Sequence, residues 1–120
     1  MRSKWIEHKG KKILYQDFSA LFFNAEAVKK ELASVQEIVL NEPMNSVLVL
    51  SNFKDTEVGP KLMSVLNEAS AKTKDHVRKN DVCGVTGFKR TLGDMLVRTT
   101  GQPLKYFDHE EEAKDWLAQD

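Results

Sequence analysis

The stretch Val47-Leu48-Val49-Leu50 most constrains the fold: four consecutive aliphatic residues, half of them β-branched, run directly into the polar segment Ser51 to Glu57. A strand with one face in water alternates apolar and polar residues, whereas an unbroken run suits a strand covered on both faces. A buried central strand that delivers a loop to a helix is therefore expected. Gly59-Pro60 supplies the helix start, because proline is pre-shaped for a first helical turn.

The flanks read in the same terms. Trp5 to His8 and Lys11 to Phe18 are two short strands joined at Lys9-Gly10, where glycine tolerates the positive φ of a tight hairpin. Asn24 caps a helix running to about Leu40, with Ala25, Val28, Leu32, Val35 and Val39 on one face and Pro43 beyond its end. The second helix carries Leu62, Val65, Leu66 and Ala69 on its inner stripe. Asp81 to Thr86 is a further short strand, and Gly87 releases the chain into a third helix bearing Leu92, Met95, Leu96 and Thr99, ended by Gly101 and Pro103. Leu104 to Phe107 forms the last strand. Asp108 with Glu111 makes a capping box for a fourth helix, whose inward face is Ala113, Trp116 and Leu117.

This alternation predicts an α/β fold: a mostly parallel five-stranded sheet with an N-terminal hairpin and four helices. Ligands and partners of such folds meet the loops at the carboxyl ends of the strands, here Ser51 to Gly59 and Thr86 to Arg90.

At 120 residues the chain fits one domain, residues 1–120, able to bury a single core. Lys+Arg and Asp+Glu number 18 each, so a global attraction to nucleic acid or to an anionic membrane is not expected, leaving room only for a local patch. No segment has the apolar length to span a bilayer. The N-terminus Met1 to Glu7 is basic without an apolar stretch behind it, so it does not read as a secretory signal, and a cytoplasmic location is expected. The single Cys83 agrees with a reducing compartment.

Candidate chemistry is sparse. His8, His76 and His109 lie far apart without Cys or carboxylate at ligand spacing, so no metal site is expected and they read as surface histidines. Cys83 sits within an apolar strand, where an inert buried thiol outweighs a nucleophile. No nucleophile, base and orienting group can be placed together, so neither an enzyme nor a cofactor is expected. Gly84, Thr86, Gly87, Lys89 and Arg90 join a strand end to a helix N-terminus, whose free amides hold an anion; backbone geometry accounts for the two glycines equally well. Asp55, Thr56 and Glu57 place a hydroxyl beside carboxylates before a helix, where a phosphate on Thr56 would gain from the helix dipole; capping that helix is the simpler role. The acidic run Glu110 to Glu112 offsets the dipole of the last helix.

Four segments together resemble the SpoIIAA-like branch of the STAS superfamily, the sulphate transporter and anti-sigma factor antagonist domain. They are the hairpin Ile6 to Lys11, the strand Asn45 to Ser51, the turn Gly84 to Phe88 and the ending Phe107 to Leu117, of which the acidic, Trp116-bearing helix is the most specific. The resemblance implies a strand-helix superhelix over nearly the whole chain, a fold also seen in lipid-carrying CRAL-TRIO domains. In the anti-sigma antagonists, a serine or threonine after the central strand, in an Asp-Ser-Ser-Gly-like turn, is phosphorylated by a partner kinase and switches binding. The corresponding turn here is Asp55 to Gly59, with Glu57 replacing the second serine and a longer spacing to the glycine.

The expected function is a non-catalytic binding or regulatory module that engages a protein partner through Asp55, Thr56, Glu57 and Gly59, with Thr56 as phosphoacceptor and a homodimer as one of its forms. The alternative is a small-ligand binder. It would take either a lipid-like apolar molecule between sheet and helices or an anion at Thr86 to Arg90; Phe22, Phe23, Phe53 and Phe88 line a pocket in this reading, although completing the core is their default role.

Overall fold

The computed structural model describes residues 1–85 and 104–119. Its elements are β1 (Lys4–His8), β2 (Lys11–Asp17), α1 (Ala25–Leu40), β3 (Val47–Asn52), α2 (Pro60–Thr73), β4 (Val77–Cys83), β5 (Lys105–Phe107) and α3 (Glu110–Ala118). The strands form one sheet in the order β1-β2-β3-β4-β5, so β3 is central. β1 pairs antiparallel with β2 through a turn at Lys9 (φ 51) and Gly10 (φ 80), and the remaining pairs are parallel. The sheet is therefore mixed, which refines the expectation of a mostly parallel one.

The apolar run of β3 is buried along its whole length, and alternation divides it between two layers. Val47 and Val49 pack with Leu14 and with Val39 of α1, while Leu48 and Leu50 pack with Ala113 and Leu117 of α3. Each such side chain contributes roughly 1.5–3 kcal/mol by leaving water. The helix starts follow local chemistry. Asn24 Oδ1 accepts a hydrogen bond from Ala27 N at 3.1 Å, and Pro60 opens α2.

The described residues contain three helices, and the further one assigned to Leu92, Met95, Leu96 and Thr99 lies outside them. Two expectations need correction. β4 starts at Val77, not Asp81, and ends at Cys83. Its polar first half holds as a strand because Lys79 is engaged: its ammonium donates to Trp116 O (3.2 Å) and Gln119 O (2.6 Å), holding the carboxyl end of α3. Finally, the N-cap of α3 is His109, in extended conformation and without a side-chain cap bond, so the Asp108–Glu111 capping box is not the helix start. The strand reaches Phe107, and the helix begins a residue later than the box requires.

Candidate functional site

The exits of β2 and β3 lie side by side and are zipped together. Phe18 N donates to Asn52 O (3.0 Å), Ala20 N to Lys54 O (2.8 Å), Phe22 N to Asp55 O (2.9 Å) and Glu57 N to Phe22 O (2.7 Å). Thr56 is the staple. Only 1% exposed, it donates from Oγ1 to Phe18 O at 2.5 Å and accepts from Leu21 N at 3.0 Å. These contacts hold Ala20 (φ 55), Phe22 (φ 49) and Asp55 (φ 59) in the left-handed region, which costs a side-chain-bearing residue about 1–2 kcal/mol each. The sequence reading of Thr56 as an accessible phosphoacceptor is thereby corrected: its hydroxyl is committed inside the protein. Asp55 and Glu57 are exposed on the same loop.

Of the remaining expected site residues, Gly59 is exposed at the N-cap of α2 with φ −91, and a Cβ there would meet nothing within 4 Å, so its backbone does not require glycine. Gly84 differs. Its φ is +79, and a Cβ would fall against the Lys54 backbone, 2.7 Å from its Cα. Glycine here lets the exit of β4 pass against the exit of β3. Thr86, Gly87, Lys89, Arg90 and Phe88 lie outside the described residues.

Beneath these loops, between the sheet and helices α1 and α2, is a half-enclosed cavity of about 120 Å³. Its walls include Phe18, Leu32, Val35, Phe53, Leu66 and Val82. Phe53 stacks on Phe18 with ring centroids 4.8 Å apart and planes at 21°. Its polar lining is neutral: Gln16, Ser51 and Asn80 lie on the central strands of the floor, Tyr106 on β5, and Gln36, Ser70 and Thr73 on the helices. Ser51 Oγ donates to Gln16 Oε1 at 3.0 Å, while Asn80 Oδ1 is buried without a hydrogen-bond partner in the protein. Of the expected aromatics, Phe53 reaches this cavity, whereas Phe22 and Phe23 are 61% and 86% exposed.

The opposite face, under α3, carries titratable groups. Tyr15 OH accepts from Asn52 Nδ2 at 2.9 Å; burial, reinforced by a hydrogen bond with Glu110, pushes its pKa upward. Burial likewise pushes the Cys83 thiol up to about 11, so it stays protonated at neutral pH. Asp81 is wholly buried with neither carboxyl oxygen bonded, and burial raises it to about 8 against the pull of Lys79. His8 is not a free surface histidine: its Nε2 lies 2.7 Å from Asp115 Oδ1, beside Lys9 Nζ at 3.0 Å, and hydrogen bonds from His8 and then Lys9 hold Asp115 below the usual carboxylate range. His76 Nδ1 lies 2.8 Å from Glu42 O. Among the described residues, no three metal-ligating side chains converge and no helix is long and apolar enough to cross a membrane.

Sequence reading missed Gln16, Ser51 and Asn80. A signal for two of them is present. Gln16 and Ser51 are polar residues at inward positions of strands whose neighbours two back, Leu14 and Val49, are buried.

A central buried strand, an antiparallel N-terminal strand and helices on both faces define the class as a SpoIIAA-like α/β fold. The crystal structure of an uncharacterized protein from the DUF3478 family with a SpoIIAA-like fold, from Shewanella loihica PV-4, superposes with a TM-score of 0.71 over 97% of this chain and 92% of that one, at 10% sequence identity. No protein-family model and no curated protein matches the sequence.

Proposed function

We propose that the protein is a non-catalytic binding module that takes a small apolar molecule into the cavity between the sheet and helices α1 and α2. The observation that carries this reading is the cavity itself: about 120 Å³, walled by Phe18, Val35, Phe53 and Val82. An engineered cavity of about 150 Å³ lined by Leu, Ile and Phe binds benzene, so there is room here for a ring or a short chain. A non-catalytic role is supported by the floor chemistry, since the Ser51 hydroxyl donates to an amide, Gln16, rather than to a base.

Native mass spectrometry of freshly purified protein tests the reading, alongside an amide-resolved NMR titration with toluene. Shifts concentrated on the cavity walls are expected, weakened in Ala69→Leu, which adds three carbons at a buried wall position. A bare mass together with no toluene shifts refutes it.

A second reading rests on Phe22 and Phe23. Aromatics held rigidly in water, as the loop zipper holds Phe22, are the side chains that anchor protein interfaces. A second copy of the chain is the partner tested most directly: sedimentation velocity should show a dimer that Phe23→Ser dissociates. A monomer at all concentrations refutes the homodimer.

A further inference from the structure

Resting on the cavity reading above, we propose that the ligand is an uncharged hydrophobic molecule carrying a hydroxyl or N–H group, which donates a hydrogen bond to Asn80 Oδ1.

Asn80 pairs with Val49 across the β3/β4 ladder, and its side chain belongs to the cavity floor. One row further along, Gln16 pairs with Ser51, and the Ser51 hydroxyl meets the Gln16 amide oxygen. Asn80 Oδ1 has no such match although it is buried. A buried amide oxygen without a donor is costly, and an aliphatic residue there would avoid the cost. Around it, Val49 and Val82 show that valine is tolerated on this floor. An acceptor that the fold leaves unmatched at the floor of a largely apolar cavity is what a donor-bearing guest requires.

The walls also limit the guest's charge. Among the described lining residues none is an acid, a lysine, an arginine or a histidine. A carboxylate, phosphate or ammonium entering there would lose its hydration with no counter-charge among the described lining residues to replace it. The chemical class that fits is therefore that of phenols, small alcohols and indole-type N–H compounds, rather than fatty acids or phospholipid headgroups.

Three ring probes separate the possibilities on the full chain: phenol, which donates; toluene, of nearly the same shape without a donor; and benzoate, which is charged. Affinities are read by NMR titration for the wild type and for Asn80→Leu. Phenol is expected to shift the Asn80 side-chain amide resonances in the wild type, and toluene to leave them nearly still. The affinity of phenol relative to toluene should fall about tenfold in Asn80→Leu, the scale of one buried hydrogen bond. Benzoate should leave the cavity walls unperturbed. If Asn80→Leu does not fold, the wild-type amide resonances decide alone. An unchanged phenol-to-toluene ratio, an amide signal indifferent to phenol, or benzoate binding as tight as phenol overturns the inference while toluene binding keeps the cavity reading intact. Failure of all three probes overturns both.

Discussion

Replacing Asp81 by asparagine exchanges one buried group for another of nearly the same shape, and differs chiefly in removing a proton equilibrium. In the native protein the carboxyl is wholly enclosed under α3, with neither oxygen bonded, and burial raises its pKa from the usual 3.8 to about 8. Between those two values the folded state holds a proton that the unfolded chain releases, so stability falls as pH rises through this window and levels off above about 8. Each pH unit is worth about 1.4 kcal/mol, which accumulates to on the order of 4 kcal/mol at pH 7, a large share of the margin of a domain this size. The other groups with shifted values leave the range from pH 5 to 7 clear: Tyr15 and Cys83 are raised above it, and Glu31 and Asp115 are lowered from values already below it. Groups common to both proteins cancel in the difference. Lys79 is the nearby cation that opposes the shift, and it is already donating to the α3 carbonyls of Trp116 and Gln119.

The assay is urea unfolding followed by fluorescence of Trp5 and Trp116 at pH 5, 6 and 7. Asp81→Asn should be the more stable protein throughout, with an advantage that grows by about 1.4 kcal/mol per pH unit, somewhat less if the site relaxes or admits water. A difference that does not change with pH, or a variant less stable at pH 7, refutes the reasoning, because either would mean that the carboxylate is charged and partnered in the native state.

Other expectations follow from single contacts. Gly84→Ala should lower stability by at least about 2 kcal/mol in the same assay, since alanine meets both the positive φ of +79 and the Lys54 backbone, whereas Gly59→Ala, open on all sides, should cost about 1 kcal/mol or less. Thr56→Val should cost about 2–3 kcal/mol by stranding Phe18 O and Leu21 N, and Thr56→Ser should recover most of it; equal midpoints for the valine variant and wild type would count against the staple. The Asp115 carboxyl is held low by His8 and then Lys9, so its contribution is present at neutral pH and lost as the pH falls through its folded value. An NMR titration of Asp115 should show its pKa rising toward the ordinary carboxylate value in His8→Ala, and an unchanged value would remove His8 as the cause.

What the residues disclosed in advance was whatever local chemistry decides. The Lys9-Gly10 turn, the Asn24 cap and the Pro60 helix start each depend on neighbours a few positions away, and the two-sided burial of Val47 to Leu50 is written in its own unbroken apolar run. Thr56 escaped because its fate is set by the Phe18 carbonyl, 38 positions distant, and a hydroxyl between Asp55 and Glu57 looks like any exposed turn residue. The first half of β4 escaped for a related reason: Arg78-Lys79-Asn80-Asp81 is as polar as a loop, and only pairing with β3 and the grip of Lys79 on α3 make it a strand. That segment is where pattern reading has least power, and it carries the two side chains on which this protein's behaviour most depends. Asn80 and Asp81 are consecutive, so the pleat sends them to opposite faces of the sheet, and the side-chain oxygens of each are buried without a hydrogen-bonding partner in the protein. Their consequences diverge because their surroundings do. Asp81, packed under α3, relieves its burial by keeping a proton, which ties stability to pH. Asn80 cannot titrate and opens onto a cavity, so its unmet acceptor can be relieved only by something that enters.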